Sequence, residues 1–111
     1  MYKRQDIYEA NFGEIFAVLT RESGKVIADA IAELREAVDF LRYYAHQAIL
    51  LDESTANPRG LISCISPWNF PLAIFTGQIA AGLAAGNGVL AKPAEPSPII
   101  CLLYTSPSPR D

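Results

Sequence analysis

Several residue types that mark large classes of protein are scarce in this sequence. It has two cysteines and one histidine in 111 residues. Cys64 and Cys101 lack the CxxC spacing of a metal or redox site. His46 has no cysteine or carboxylate partner at ligand spacing, so no metal site is indicated. Because the N-terminus shows no signal-peptide pattern either, the sequence predicts a reduced, cytoplasmic setting rather than a disulfide scaffold.

Positive charge is also limited, and it is scattered. Nine lysines and arginines stand against twelve acidic residues, for a formal charge of −3. No basic cluster indicates a nucleic-acid partner. With 50% hydrophobic and 19% charged residues, the chain has the composition of a folded protein rather than a disordered one. Its length fits one small domain or part of a larger one.

Charged residues are absent from the whole stretch between Gly60 and Ala91. A stretch of this length raises the question of a transmembrane helix. However, its Pro-Trp-Asn-Phe-Pro segment, residues 67–71, would leave backbone groups unpaired in hydrocarbon. Strands of a buried parallel sheet read as continuous apolar runs, so we predict a sheet here and no transmembrane segment.

Two amphipathic helices are predicted before this stretch. The first covers residues 6–22 and ends at Gly24, since glycine adopts the left-handed conformation of a helix C-cap at least cost. The second covers residues 28–48. Apolar residues recur along one face of each helix at spacings of three and four: Tyr8, Phe12, Ile15 and Leu19 in the first, and Ile27, Ile31, Leu34, Val38, Leu41 and Ala45 in the second. Locally, the pattern fits either a helical hairpin or the outer cover of a sheet.

After a linker at residues 51–60, the chain reads as strand, loop, helix, strand and loop. The strands are predicted at residues 61–65 and 89–91, with a helix at residues 72–85 between them. This is the layout of a nucleotide-binding α/β unit, whose chemistry lies at the carboxyl ends of the strands. A sheet of two strands is too small to be complete, so we predict part of a larger α/β domain.

Asn69 is the strongest catalytic candidate. A side-chain amide held between two prolines at the end of a strand is a preorganised hydrogen-bond donor, of the kind that stabilises a developing oxyanion. Alternatively, Asn69 caps the helix that follows, since asparagine is a preferred N-cap residue. The neighbouring Trp68 is either part of the core or the floor of a cofactor groove.

Lys92 and Glu95 come just after the second strand. A lysine donor beside a carboxylate acceptor can hold the neighbouring hydroxyl groups of a ribose. The alternative is an exposed ion pair that contributes under about 1 kcal/mol. Cys64 lies within an apolar strand and is predicted to be an inert buried thiol.

Taken together, these features resemble the aldehyde dehydrogenase family. The resemblance rests on Pro-Trp-Asn-Phe-Pro at residues 67–71, on Lys-Pro-Ala-Glu at residues 92–95 and on the spacing between them, with Gly86-Asn87 before the second strand. More narrowly, residues 35–45 and 64–75 resemble the L-glutamate γ-semialdehyde (pyrroline-5-carboxylate) dehydrogenase domain of bifunctional bacterial proline-utilisation proteins.

The resemblance implies the fold and the roles of the matched residues. The fold class would be α/β, a fragment of an aldehyde dehydrogenase-like (Rossmann-type) NAD-binding domain preceded by two long amphipathic helices. Asn69 would donate its amide to the oxyanion of the thiohemiacetal and thioester-forming steps. Lys92 and Glu95 would hold the adenosine ribose of NAD. The cofactor groove would be lined by Ile65, Ser66, Pro67 and Trp68.

The likeness also implies boundaries along the chain. We expect, in order, a non-native start, the helical part of the dehydrogenase domain, a linker, the first strand-helix-strand unit of the NAD-binding domain and a non-native tail: residues 1–5, 6–50, 51–60, 61–100 and 101–111.

In this family the nucleophilic cysteine and the general-base glutamate lie far beyond the asparagine, past the end of this chain. Neither Cys64 nor Cys101 takes that place. We therefore expect the chain alone to be inactive. The longer protein is expected to be a homo-oligomer that oxidises a small aldehyde, L-glutamate γ-semialdehyde, to L-glutamate with NAD in proline catabolism. FAD would belong only to a separate proline dehydrogenase domain. The alternatives are a different aldehyde substrate or a non-catalytic nucleotide-binding module.

Overall fold

The structure, a computed structural model, describes residues 2–52 and 54–105. Five helices and two strands follow one another along this part of the chain: α1 Tyr2–Ala10, α2 Phe12–Ser23, α3 Ile27–Leu50, β1 Leu61–Ile65, α4 Ala73–Ala84, β2 Gly88–Lys92 and α5 Pro98–Thr105. The two strands are parallel neighbours, with α4 as the connection between them. The predicted α/β class is therefore confirmed.

The first predicted helix is in fact two helices, α1 and α2, which meet at Asn11. The side chain of Asn11 donates a hydrogen bond to the main-chain oxygen of Ile7, with Nδ2 and O 2.8 Å apart, and such local bonds compete with regular helix. Helix α2 ends at Gly24 as predicted, in the left-handed conformation with φ of 70°. Tyr8, Ile15 and Leu19 are buried as predicted, but Phe12 is 57% exposed, and its predicted place in the core is wrong.

Helix α3 packs against α4 to form most of the core. The buried face of α3 begins at Ala30, so the prediction that Ile27 and Ile31 face the core is wrong, and Ile27 is 59% exposed. The two helices approach closely at Gly77, where a Cβ atom would lie 3.0 Å from the ring of Phe40. The core is shared among the helices and one strand: Tyr8, Ile15, Leu19, Leu34, Val38, Leu41, Cys64, Leu72, Phe75, Ile79 and Ile100.

The sheet is covered on one face only. Cys64 is buried, and Ile62 and Val89 are packed against the core. Leu61, Ile65 and Leu90 lie on the opposite face and are exposed. Parallel sheets normally have both faces covered, so the uncovered face agrees with the expectation of an incomplete sheet.

A buried asparagine fixes the turn that leads into β2. Oδ1 of Asn87 accepts hydrogen bonds from the main-chain N–H groups of Arg59 and Gly60, at 2.6 and 3.0 Å. Its Nδ2 donates to the main-chain oxygen of Gly82 at 3.2 Å. Asn87 therefore holds the end of α4 against the start of β1, which sets the two strands in register.

The two ends predicted to be non-native fall partly on α1 and α5. Residue 1 and residues 106–111 lie outside the described residues, whereas Cys101 belongs to α5 and is fully buried. The origin of both ends stays a prediction. Among the helices of residues 2–52 and 54–105, none combines the length and apolar character needed to cross a membrane.

Candidate functional site

Two polar loops leave the sheet side by side. We call residues 66–71, after β1, the Asn69 loop, and residues 92–97, which start at the last residue of β2, the Lys92 loop. Ile65 and Lys92 are register partners at the ends of the strands, and the N–H of Ser66 donates to the main-chain oxygen of Lys92 at 3.0 Å. Both loops therefore begin at the carboxyl edge of the sheet, where ligands bind in open α/β folds.

The side chain of Asn69 is exposed and makes no hydrogen bond to any residue within 2–52 and 54–105. The N-cap residue of α4 is Leu72 rather than Asn69. The N–H groups of Leu72 and Ala73 are instead bound by the carboxylate of Glu33, with Oε2 2.7 and 3.1 Å from the two nitrogens. The alternative interpretation of Asn69 as a helix cap is therefore wrong, and its amide faces outward from a loop that other residues hold.

Glu33 and Lys25 form an ion pair beneath the Asn69 loop. Glu33 is 1% exposed, and its Oε1 lies 3.2 Å from Nζ of Lys25. This ammonium also lies 4.3 Å from the centre of the Phe70 ring, a distance at which cation–π attraction operates. The pair therefore contacts both Phe70 and the first turn of α4.

On its other side, the Asn69 loop is held by Cys101 of α5. The Cys101 thiol donates to the main-chain oxygen of Pro71, with Sγ and O 3.3 Å apart, and lies 3.4 Å from Oγ of Ser66. The Ser66 hydroxyl also donates to the main-chain oxygen of Pro67 at 3.0 Å. Burial raises the pKa of the Cys101 thiol, and the neighbouring Ser66 hydroxyl, which could donate to a thiolate, offsets part of this rise. Cys101 is thus a protonated thiol that holds the loop, a role for which the sequence offered no indication.

Cys64 is buried in β1, and burial raises the pKa of its thiol as well. The predicted buried thiol is confirmed. Since the thiolate is the nucleophilic form of cysteine, neither Cys64 nor Cys101 has the environment of an activated nucleophile.

The residues expected to line a cofactor groove divide by exposure. Trp68 is 65% exposed and Ile65 63% exposed, so the alternative that Trp68 packs in the core is wrong. Ser66 is buried and Pro67 half-buried. The end of β1 and the Asn69 loop thus each present one large apolar side chain to the outside, while the polar Ser66 is buried.

Lys92 and Glu95 are both exposed and are not paired with each other among the described residues. Nζ of Lys92 donates to the main-chain oxygen of Pro93 at 3.0 Å. The alternative of an exposed ion pair is therefore wrong. Two unpaired charges of opposite sign at the edge of the sheet remain able to bind a polar ligand.

The Lys92 loop is anchored by a second glutamate. Oε2 and Oε1 of Glu22, on α2, each lie 2.9 Å from one main-chain nitrogen at the start of α5, those of Ile99 and Ile100. Neither Glu22 nor Glu33 was singled out from the sequence. One signal for Glu33 was present: it lies three residues after Ala30 and four before Ala37, on the face of α3 that is otherwise apolar and buried.

Comparison with known proteins agrees with this arrangement. The model of the aldehyde dehydrogenase family matches residues 1–106. The bifunctional protein PutA of Escherichia coli is 55% identical over 103 residues, which cover 90% of this chain. The α-ketoglutaric semialdehyde dehydrogenase of Bacillus subtilis is 37% identical over 114 residues, covering 91% of this chain. The structure of 1-pyrroline-5-carboxylate dehydrogenase from Thermus with bound NAD superposes with a TM-score of 0.85 at 35% identity over 90% of the chain.

The chain spans only a small part of these relatives. It covers 8% of the Escherichia coli protein, 23% of the Bacillus subtilis enzyme and 22% of the Thermus enzyme. Within that part, the match extends over both loops at the carboxyl edge of the sheet. The chain therefore belongs to the aldehyde dehydrogenase family.

Proposed function

We propose that this chain is part of a longer NAD-dependent dehydrogenase that oxidises L-glutamate γ-semialdehyde to L-glutamate in proline catabolism. The observation that carries the proposal is the bond between the N–H of Ser66 and the main-chain oxygen of Lys92. It brings the amide of Asn69 and the charges of the Lys92 loop to one edge of one sheet. The relatives include a 1-pyrroline-5-carboxylate dehydrogenase of Bacillus mycoides, 38% identical over 104 residues.

In this proposal, Asn69 is the catalytic residue of the chain. Its amide donates a hydrogen bond to the oxygen of the aldehyde when that oxygen becomes negatively charged. A preorganised donor of this kind needs no reorganisation during the reaction. The Asn69 amide is exposed and has no other hydrogen-bond partner within residues 2–52 and 54–105, so it is available to donate. The attacking thiolate comes from elsewhere in the longer protein, because the environments of Cys64 and Cys101 favour the neutral thiol.

The nicotinamide cofactor would lie along the same edge. The aldehyde dehydrogenase family uses NAD or NADP, and we propose NAD for this member. Lys92 and Glu95 fit the two neighbouring hydroxyl groups of a ribose because they supply a donor and an acceptor that are exposed and, among the described residues, not paired with each other. Ile65 and Trp68 offer exposed apolar surface for the rest of the molecule, with Ser66 and Pro67 between them. When bound, the cofactor supplies the acceptor for the hydride that leaves the substrate carbon.

Three further properties concern localisation, oligomeric state and the activity of the chain alone. We propose that it is a cytoplasmic homo-oligomer and that the 111-residue chain alone has no dehydrogenase activity. NADH formed by the purified chain from glutamate semialdehyde would contradict the latter. A different aldehyde is the rival substrate, favoured by the likeness to the Bacillus subtilis α-ketoglutaric semialdehyde dehydrogenase. Assay of the longer protein with both semialdehydes decides between them through the ratio of their kcat/KM values.

The test of Asn69 uses a complete enzyme. We suggest a chimera in which this chain replaces the matching segment of the Escherichia coli protein. Asn69→Ala should lower kcat by about 10²–10³-fold, as removal of one oxyanion donor does elsewhere. KM should change little, because the lost interaction is made only in the transition state. Asn57→Ala, in the exposed linker, is the matched control. An inactive unaltered chimera, or an unchanged kcat in Asn69→Ala, would contradict the proposal.

A further inference from the structure

A buried ion pair lies directly beneath the proposed catalytic loop and has no assigned role. The carboxylate of Glu33 is fully buried, and the Lys25 side chain is 13% exposed. A buried charge is unfavourable unless it is paired and hydrogen-bonded. Glu33 meets that condition through three contacts, and all three lead toward the Asn69 loop or its support.

The first two contacts fix the start of α4. Oε2 of Glu33 accepts from the N–H groups of Leu72 and Ala73. These groups have no partner within their own helix because they belong to its first turn. A carboxylate is also favoured at this end by the helix dipole. Since Pro71 connects the loop to the helix, a displaced first turn displaces the loop as well.

The third contact acts closer to Asn69. Oε1 of Glu33 accepts no hydrogen bond within the described residues and instead has the Lys25 ammonium 3.2 Å away. That ammonium contacts the ring of Phe70, the residue directly after Asn69. Glu33 thus holds Lys25, and Lys25 holds the Phe70 ring. Because Phe70 directly follows Asn69, a fixed Phe70 also restricts the main chain from which the Asn69 side chain projects.

We propose that Glu33 is a positioning residue that acts through Lys25 and the first turn of α4 to hold the Asn69 amide in its reactive orientation. This inference rests on the proposed function of Asn69. If the ion pair were purely structural, its removal would lower the stability of the protein and leave the kcat of each folded molecule unchanged. A positioning role also changes kcat and the local order of the loop.

The activity test uses the chimeric enzyme with Glu33→Ala, Glu33→Gln and Lys25→Met. We expect kcat to fall by about tenfold to a hundredfold in Glu33→Ala, since misplacement of a reacting group by about 1 Å can cost about 10²-fold. KM should change little. Glu33→Gln retains an acceptor oxygen for the two amides and should recover part of the loss, whereas Lys25→Met should lower kcat with the amide bonds intact. Glu36→Gln, an exposed carboxylate on the same helix, is the control.

The second test reads the loop without any activity. Trp68 is the only tryptophan of the 111-residue chain and lies next to Asn69, so its time-resolved fluorescence anisotropy reports the nanosecond motion of the loop. Glu33→Ala and Lys25→Met should increase this motion relative to the unaltered chain and to Glu36→Gln. Circular dichroism identifies any variant that is unfolded. If Glu33→Ala is unfolded, Glu33→Gln and Lys25→Met are compared with the unaltered chain instead.

The outcomes separate this inference from the proposed function. If Asn69→Ala lowers kcat while Glu33→Ala, Glu33→Gln and Lys25→Met behave as Glu36→Gln does, the positioning role is overturned and the function of Asn69 stands. If Asn69→Ala leaves kcat unchanged, the proposed function fails, and with it the catalytic purpose of Glu33. In that case, increased Trp68 motion in Glu33→Ala and Lys25→Met would still show that Glu33 orders the loop. Unchanged motion would overturn this ordering role as well.

Discussion

The thiol of Cys101 donates a hydrogen bond to the main-chain oxygen of Pro71, with Sγ and O 3.3 Å apart. This contact joins α5, which follows the Lys92 loop, to the end of the Asn69 loop. The same sulfur lies 3.4 Å from the hydroxyl oxygen of Ser66, at the beginning of that loop. One buried side chain therefore holds both ends of the segment that carries Asn69.

The stability contributed by the Cys101 thiol should depend on pH. Burial raises its pKa above the ordinary value of 9.0, so the folded chain keeps this proton at a pH where the unfolded chain has lost it. The contribution is complete below the unfolded pKa and is lost as pH rises through the folded pKa. Urea unfolding of the unaltered chain and of Cys101→Ala should therefore show a free-energy difference that shrinks between about pH 8 and about pH 10. A constant or growing difference would refute this account. Cys64 is present in both chains and cancels.

Glu22 should stabilise the Lys92 loop through the start of α5. Its two carboxylate oxygens each accept one main-chain N–H, from Ile99 and Ile100. Removing a capping side chain costs about 0.5–2 kcal/mol, so Glu22→Ala should lower the free energy of unfolding by about that much, and Glu22→Gln by less. In the chimeric enzyme, Glu22→Ala should also raise the dissociation constant for NAD, measured by calorimetry. Glu14→Ala, on the exposed face of α2, is the control, and equal effects of the two substitutions would exclude a specific cap.

Local patterns sufficed for the elements that carry the site. Strand β1 has the predicted bounds, because its apolar run is delimited by Gly60 and by the prolines of the Asn69 loop. The two loops meet as expected because parallel strands end at the same edge. By contrast, the predicted helix at residues 6–22 runs through Asn11 without a break, although the side chain of Asn11 donates a hydrogen bond to the main-chain oxygen of Ile7 and the helix ends there. Periodicity also placed Ile27 on the apolar face of its helix, although Ile27 is 59% exposed among the described residues.

The supports of the site left little trace in the sequence. Glu33 bonds an amide 39 positions away, and Glu22 bonds one 77 positions away. A carboxylate that binds main-chain N–H groups requires no particular residue type in its partner, so no pairing of side chains points to it. Cys101 binds a main-chain oxygen in the same way. These contacts appear only once α2, α3 and α5 are packed around the two loops.

Close packing between α4 and β2 should make Gly82 intolerant of alanine. A Cβ atom there would lie 2.9 Å from Cγ2 of Val89. Overpacking costs about 1–3 kcal/mol, which should exceed the gain of about 1 kcal/mol in helix propensity. Gly13 on α2 has nothing within 4 Å of such an atom, so Gly13→Ala should instead stabilise the chain. Urea unfolding compares the two, and Val89→Ala should relieve Gly82→Ala in a double-mutant cycle. Additive effects would show that the two sites do not contact each other.

Asn87 should be required for the register of the sheet. Its Oδ1 binds the N–H groups of Arg59 and Gly60, and its Nδ2 binds the main-chain oxygen of Gly82. Asn87→Ala removes the acceptor of the Arg59 and Gly60 N–H groups, whereas the oxygen of Gly82 keeps its bond from the main-chain N–H of residue 87. The free energy of unfolding should fall by about 1–3 kcal/mol. Asn87→Asp keeps the two accepted bonds and loses the donated one, so its effect should be smaller. Asn57→Ala, in the exposed linker, should change stability by less than about 0.5 kcal/mol.

Hydrogen exchange gives a second measurement of the role of Asn87, because the amides of Arg59 and Gly60 should lose protection in Asn87→Ala and keep it in Asn87→Asp. Equal protection in both variants would mean that the turn is held by other contacts.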